Sequence, residues 1–388
     1  MTASPEPALS GGRRPHPLDA RWRELAQAAQ QQALPSGSVV VACSAPLGAG
    51  GLGRHLEEIV HALERGARPT VCICGSTRES DPRGARAGHA IPDPAALLAR
   101  SPIPLSLGLR TRAFTVEFDA YAAERLPRAE HLIAFNGQAL TQFRAARRAG
   151  FQSRSLMAAN SHLRHVARQH AKAHRRYPFE GSWTTSLIAR NLKEYAQADR
   201  IYVASEYTRE SFLREGFREE SLVRFPLTPH PRFEPREPPP ACDTFDIVHA
   251  GSLTVAKGVP LLIDAVRRLP HPDIRLILVG GWATRGMRRF IQSACAEDAR
   301  ISSAPGDPLA HLRAARLYVH PTYEDGFAYA PAEALACGVP MIVSEDTGMK
   351  ELIDSPDSGV ILPTGDLDAL SEAIDAAYRG EILPRSRR

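Results

Sequence analysis

Two acidic residues eight positions apart, Asp325 and Glu333, have the spacing in this chain that most directly suggests chemistry. An apolar, strand-like run ends at His320, a loop carries Asp325, and a short helix pattern then carries Glu333. One carboxylate therefore belongs to the loop and the other to the helix. The first backbone N–H groups of a helix have no intrahelical partner and can bind an anion. The segment predicts a site for a phosphorylated sugar.

A lysine in a second loop is the next candidate. Lys257 lies in the segment GSLTVAKGVP (251–260), between an apolar strand pattern and a helix that opens at Pro260. A cation beside a helix N-terminus is suited to stabilise the two negative charges of a departing diphosphate. A solvated loop lysine is the alternative interpretation. The two loops together predict an anion site with both acidic and basic side chains.

The glycine-rich segment GAGGLGRH (48–55) is a third candidate. It formally matches G-x-G-x-x-G, a dinucleotide-binding fingerprint. The fingerprint should follow its strand almost directly, whereas Ser44 to Leu47 intervene here, and the second strand ends without an acid for a ribose hydroxyl. Arg54 and His55 follow the glycines, and both a role in a cleft and a structural role remain open for them.

Two further features carry polar residues near strand ends. Ser205 and Glu206 end a strand-like run, which makes them candidates for a cleft or acceptor site; Thr208 as a helix cap is the alternative. Residues 161–176 form a basic helix pattern with four histidines, two of them at metal-binding spacing. Their cationic neighbours disfavour a metal. A solvated basic face is the preferred interpretation, and contact with an anionic acceptor or membrane surface stays open.

Strand and helix patterns alternate along the chain and would position these loops. Apolar runs such as SVVVAC (38–43) and DIVHAG (246–251) are each followed by a helix pattern. A proline-rich stretch separates two such alternations, which predicts an α/β protein with two Rossmann-like domains that face a central cleft. The predicted division is a flexible extension with one helix (1–36), a first domain (37–228), a linker (229–241), a second domain (242–380) and a tail (381–388).

Composition and charge limit the class of protein. The chain is 43% hydrophobic and 23% charged with a formal net charge of +5, as in a globular enzyme. No apolar run approaches the ~20 residues of a membrane-spanning helix, and the N-terminus has no signal-peptide core. Cys72 and Cys74 alternate in an apolar run and are predicted to be buried thiols, which fits a reducing cytoplasm. No nucleic-acid-binding signature accompanies the positive charge.

The segment YVHPTYEDGFAYAPAEALACGVPMIV (318–343) resembles the donor-site motif of the retaining family 4 glycosyltransferases, glycosyl transferases group 1. That motif is Glu-x7-Glu and stands here as Asp325-x7-Glu333. The trailing EALACGVP (333–340) fits the family closely. The resemblance covers about residues 38–375 and implies the GT-B fold, with the acceptor mainly on the first domain and a nucleotide sugar on the second.

The resemblance also implies roles for the second domain. Asp325 would bind a hydroxyl of the donor sugar, and Glu333 would accept both ribose hydroxyls, a task for which a carboxylate is suited. Lys257 falls on the family's phosphate-binding lysine. Ser252 falls on the family's arginine, so a fixed charge is lost there. The residues whose amides would cradle phosphate or sugar oxygens are Gly326, Phe327 and Ala328.

For the first domain, the resemblance gives Gly50 and Gly51 to a loop before the first helix, where the backbone approaches the donor phosphates. Many family members have a histidine at a strand end that positions the reacting centre. The matching strand here is HLIAFNGQ (131–138), and Asn136 is the candidate substitute. We also find no Asp-x-Asp pair at a strand end, so the expected transfer is independent of a metal.

The implied activity is transfer of a sugar, with retention, from a nucleotide-diphosphate sugar to an acceptor hydroxyl. UDP or GDP is the expected nucleotide, with no other cofactor. The acceptor would be a small molecule, a lipid-linked sugar or a glycan, and peripheral association with the inner membrane face is compatible with the basic helix. Two alternatives remain open at this point: a sugar-nucleotide epimerase on the same fold and a non-catalytic partner subunit that binds a nucleotide sugar.

Overall fold

The structure is a computed structural model that describes Leu18 and residues 20–75, 107–235 and 244–383. Its described residues form two α/β units, each built on a six-stranded parallel sheet. The elements of the first unit are α1 (Ala20–Ala33), β1 (Val39–Cys43), α2 (Gly50–Arg65), β2 (Thr70–Cys74), α3 (Leu107–Glu124), β3 (His131–Phe135), α4 (Leu140–Arg148), β4 (Ser153–Ala158), α5 (Leu163–Arg176), α6 (Ile188–Tyr195), β5 (Arg200–Val203), α7 (Glu206–Leu213) and β6 (Leu222–Arg224).

The second unit repeats the alternation. Residues 236–241 of the predicted linker lie outside the described residues. The elements of this unit are β7 (Phe245–Ala250), α8 (Val259–Arg268), β8 (Ile274–Val279), α9 (Arg285–Glu297), β9 (Ile301–Ala304), α10 (Leu309–Ala314), β10 (Leu317–His320), α11 (Tyr329–Ala336), β11 (Met341–Ser344), β12 (Gly359–Leu362) and α12 (Leu367–Arg379).

Strand order determines where each sheet can bind a ligand. The first sheet runs β2-β1-β3-β4-β5-β6 and the second β12-β11-β10-β7-β8-β9. The direction of winding reverses between β1 and β3 and again between β7 and β10. Helical crossovers diverge at such a switch point and leave a crevice at the carboxyl ends of the two strands. The loops after β7 and β10, which carry Lys257 and Asp325, meet at the second crevice.

The core of each unit lies between the sheet and its helices. All five residues of β1 are buried, as expected for a parallel strand covered on both faces. On α2 the apolar face of Leu56, Ile59, Val60 and Leu63 is buried. The side chain of Leu52, one turn before Leu56, is 41% exposed. Leu52 lies in the first turn, which projects beyond the sheet into the cleft. Cys72 and Cys74 are buried free thiols, which confirms that prediction.

Polar side chains join the two units across the cleft. Ser205 Oγ donates to the Gly326 carbonyl at 2.6 Å, and the Ser161 amide donates to Glu324 Oε1 at 3.2 Å. Glu180 Oε2 accepts from the Val255 amide at 2.7 Å. Within residues 20–75, 107–235 and 244–383, no helix combines the length and apolar character that a bilayer crossing requires.

The start of α8 gives a test of how tightly the second crevice is built. Gly258 has φ +71°, and a Cβ there would lie 1.9 Å from the Pro321 carbonyl oxygen. Gly150 has a similar φ of +80° with open space around it. Gly150→Ala should cost about 1–2 kcal/mol of backbone strain, and Gly258→Ala about 1–3 kcal/mol more from overpacking. Thermal unfolding of both variants measures the difference, and equal melting temperatures would contradict this account of the loop.

Candidate active site

A cavity of about 600 Å³ lies between the carboxyl ends of the two sheets. Its walls come from both units, because α2 and the loops after β4 and β6 contribute on one side and the loops after β7, β8, β9 and β10 on the other. The predicted site residues that line it are Gly50, Gly51, Arg54, His55, Ser252, Lys257, Asp325, Phe327, Ala328 and Glu333.

Two uncapped helix N-termini face this cavity. Helix α2 begins at Gly50 and α11 at Tyr329, and no side chain caps the first amides of either helix. Gly50 and Gly51 thus belong to the first turn of α2 and not, as expected, to a loop before it. Free amides at the positive end of a helix favour bound anions. Both ends of the cavity can therefore receive negatively charged oxygens.

Lys257 and Asp325 form an ion pair at the centre of the second unit. Lys257 Nζ donates to Asp325 Oδ2 at 2.5 Å, and His320 Nε2 donates to the same oxygen at 3.2 Å. Burial alone would raise the pKa of Asp325, but the Lys257 charge and the His320 hydrogen bond outweigh burial and hold that pKa below its usual range. Asp325 is therefore ionised and fixed in position.

The neighbouring acid, Glu324, contacts the first unit and not the cavity. Its side chain is 1% exposed, and its Oε1 accepts from the Ser161 amide of the first unit. Burial is the largest influence on its pKa and raises it. Glu324 does not line the cavity, whereas Asp325 does. Of these two adjacent acids, Asp325 is therefore the one that faces the cavity.

Glu333 forms the second ion pair, which crosses the cleft. It is 1% exposed on α11, and Arg54 of α2 donates to it. Burial raises the pKa of Glu333, and the nearby guanidinium only partly offsets that effect. The same guanidinium lies 4.2 Å from the centre of the Tyr329 ring. Tyr329 in turn donates to Glu58 at 2.6 Å, and burial raises the pKa of Glu58 to about 7.

Three buried histidines also line the cavity: His55, His249 and His320. Burial lowers the pKa of His55 and of His249 to about 3 and also lowers that of His320, so all three are neutral. His249 Nδ1 donates to the Val319 carbonyl at 2.9 Å, and its ring stacks on His320. Sequence reasoning did not select His249 or His320. Their signal was present, since each is a polar residue near the carboxyl end of a buried strand.

Four predicted site residues lie elsewhere. Ser205 caps α7 by accepting from the Thr208 amide, so the serine, and not Thr208, is the cap. Glu206 is an exposed partner of Arg209 and does not line the cavity. Asn136 is also outside the cavity wall, and its Oδ1 accepts from the Ala159 amide at 3.0 Å. The last of the four is Gly326, whose carbonyl joins the two units while Phe327 and Ala328 face the cavity.

Helix α5 has the solvated basic face that the sequence predicts, since Arg164, Arg168, Lys172, Arg175 and Arg176 are exposed. Its histidines are not part of that face: His162, His165 and His170 are at most 7% exposed. His165 Nε2 bonds the Tyr207 hydroxyl at 2.8 Å, and His170 Nδ1 bonds Ser182 Oγ at 3.2 Å. These three histidines therefore pack inside the protein. Over the part of the chain that the structure describes, no group of His, Cys, Asp and Glu is arranged to hold a metal ion.

Part of the chain is similar in sequence to known proteins. Residues 232–388 match the family model for glycosyl transferases group 1. WcaL of Escherichia coli K12, a glycosyltransferase provisionally assigned to colanic acid biosynthesis, is 28% identical over 37% of this chain. The O-antigen chain mannosyltransferase B of Escherichia coli is 26% identical over 46% of this chain. The chain spans 39% and 51% of the lengths of these two relatives.

Similarity to solved structures extends over both units. Sucrose-phosphate synthase from Thermosynechococcus elongatus superimposes with a TM-score of 0.64. The alignment covers 89% of this chain and 90% of that chain at 19% sequence identity, which shows the fold alone. The fold class predicted from the sequence, two Rossmann-like units that face a cleft, is confirmed.

The Lys257–Asp325 pair makes stability depend on pH. Asp325 has a lowered pKa when folded, so its contribution is complete above the unfolded pKa of ~3.9 and is lost as pH falls through the folded value. In Lys257→Met, burial of Asp325 is no longer opposed by the lysine, and its contribution should be lost as pH rises instead. We expect the variant to lose about 3 kcal/mol at pH 7 and less at pH 4.

Thermal unfolding between pH 4 and pH 8 measures this difference. Lys193→Met removes an equal charge from an exposed site on α6 and serves as the control. A gap between wild type and Lys257→Met that does not widen with pH would show that Asp325 keeps its lowered pKa without the lysine.

Proposed function

We propose that the whole chain is a retaining glycosyltransferase, because residues 232–388 match the family model for glycosyl transferases group 1. It would move a sugar from a nucleotide-diphosphate sugar to an acceptor hydroxyl without a metal. One observation carries the proposal: Lys257, Asp325 and Glu333 line a single cavity at a switch point of the second sheet. A lysine, two carboxylates and two uncapped helix ends match the diphosphate and the hydroxyl groups of such a donor.

Each side chain has a role in this reaction. Glu333 accepts the two ribose hydroxyls, and Asp325 accepts a hydroxyl of the donor sugar. Lys257 and the N-terminal amides of α11, near Phe327 and Ala328, stabilise the charge that develops on the diphosphate. A bond forms between the acceptor oxygen and the anomeric carbon, and the bond from that carbon to the phosphate oxygen breaks. The electron pair leaves with the nucleoside diphosphate, which also takes the acceptor proton.

The two units divide the substrates. The second unit binds the donor, with boundaries proposed at 242–380, and the first, at 37–228, binds the acceptor beside Gly50 and Gly51. UDP or GDP is the proposed nucleotide. The proposed acceptor is a small molecule, a lipid-linked sugar or a glycan; one relative is named an O-antigen chain mannosyltransferase. Free buried thiols support a cytoplasmic setting for the reaction.

The first step of testing is to identify the nucleotide. Thermal unfolding in the presence of UDP, GDP, ADP and TDP sugars should single out one nucleotide. A donor present at 100 times its dissociation constant should add about 2.7 kcal/mol to the stability. Product analysis with and without an acceptor then separates transfer from epimerisation. Absence of any turnover by a chain that binds the donor would favour the non-catalytic subunit, and chelation by EDTA should leave transfer unchanged.

Two substitutions should affect different kinetic constants. Lys257→Ala removes a charge that matters most in the transition state, so kcat should fall about 10²–10³-fold. Glu333→Ala removes a contact that substrate and transition state share, so KM for the donor should rise with a smaller change in kcat. Glu206→Ala, which changes an exposed acid outside the cavity, is the matched control and should retain full activity. Full activity in both cavity variants would refute the assignment.

A further inference from the structure

The ionisable charges of the cavity are balanced in pairs. Setting histidines aside, the charged residues that line it in the described chain are Arg54, Lys257, Asp325 and Glu333. Lys257 is paired with Asp325, and Arg54 is paired with Glu333. Each pair joins one cation to one carboxylate that also lines the cavity, so the ion-pair partner of each cation lies inside the cavity. A substrate that enters the cavity meets both ion pairs.

A nucleotide-diphosphate sugar has complementary groups for all four side chains. If the proposed function holds, on which this inference rests, both carboxylates accept hydroxyl groups of the donor. These hydroxyls compete with each cation for the carboxylate oxygens. A diphosphate carries at least two negative charges, and charge-assisted hydrogen bonds to phosphate are about twice as strong as neutral ones. Of the other residues in the loop after β7 that line the cavity, Gly251 has no side chain and Ser252 offers only a hydroxyl. The second unit therefore brings a single cation to this part of the cavity.

Arg54 is placed to supply the second one. It lies on α2 just after Gly50 and Gly51, whose uncapped helix end also faces the cavity. Its guanidinium rests against the Tyr329 ring, which holds the side chain extended across the cleft. The contact with Glu333 uses Nη2. A guanidinium has five N–H donors in a planar fork, so the same group can turn toward a phosphate without leaving the tyrosine ring.

We propose that Arg54 is the second diphosphate-binding cation of this enzyme and exchanges Glu333 for the donor phosphate. In the empty cleft the arginine neutralises the buried carboxylate. When the donor binds, Glu333 takes the ribose hydroxyls and Arg54 takes diphosphate oxygens on the side opposite Lys257. Because Arg54 and Lys257 belong to different units, the diphosphate then bridges the cleft. Donor binding and closure of the two units on each other are coupled through this one group.

The test compares each nucleoside diphosphate with its nucleoside. Isothermal titration gives the dissociation constants of UDP and uridine, and likewise of the GDP, ADP and TDP pairs, for the full chain. The ratio of nucleoside to diphosphate dissociation constants measures what the phosphates contribute. Arg54→Ala and Arg54→Gln should lower this ratio about 10- to 100-fold, and Arg54→Lys, which keeps the charge, should lower it less. Arg54→Gln retains a long side chain against Tyr329 and serves if the alanine variant fails to fold.

Arg65→Ala is the matched control, because it removes an equal charge from the exposed end of α2. It should leave the ratio unchanged. A merely structural Arg54–Glu333 pair predicts that nucleoside and diphosphate affinities change together, and a constant ratio in Arg54→Gln would overturn the inference. An equal loss in Arg65→Ala would overturn it too, since the effect would then be general electrostatics. A wild-type chain that binds none of the four diphosphates would overturn the proposed function and this inference with it.

Discussion

The contact between Lys257 and Asp325 is the interaction on which the arrangement of the cleft depends. Neither residue lies on a strand, so their 2.5 Å separation requires the loops after β7 and β10 to be fixed against each other. Backbone hydrogen bonds supply that restraint, because the Tyr323 amide donates to the Ala256 carbonyl at 2.9 Å. The left-handed conformation of Gly258 allows α8 to start directly against Pro321. A parallel sheet makes such an encounter possible, since neighbouring strands end at the same edge.

Burial and local partners together set the protonation states of the acids and histidines in the site. The acids and histidines around the cavity are nearly inaccessible, yet their pKa values move in different directions. Asp325 has two donors on one oxygen and its pKa falls, whereas burial dominates for Glu333 and Glu324 and their pKa values rise. The cavity histidines are held neutral by burial. Ionised and neutral groups can thus lie side by side in one cavity, because each pKa is set by local partners as well as by the low dielectric.

Hydrogen bonds between buried polar groups join the two units, in addition to apolar packing such as that of Phe179 on Phe290. Glu324, Ser205 and Glu180 each bond a backbone group of the opposite unit. Such bonds depend strongly on distance and angle, so they favour one defined closed arrangement over a sliding apolar surface. The Arg54–Glu333 pair belongs to the same interface, but it lines the cavity and can therefore exchange its partner. A ligand between the units would act on the closed arrangement through this pair.

The strand–helix alternation, the loops that carry Lys257 and Asp325, and the spacing of Asp325 and Glu333 could all be predicted from the sequence. These features are local, because hydrophobic period, glycine and proline are encoded within a few residues. Short strands such as β6, β9 and β12 did not emerge, since three or four residues carry too little periodicity. Only the folded structure shows that Arg54 meets Glu333, that Glu206 lies outside the cavity, and that α5 packs its histidines inward. Each of these outcomes depends on which distant segments pack against each other in the fold. Contacts between residues far apart in the chain leave no periodic pattern in either segment.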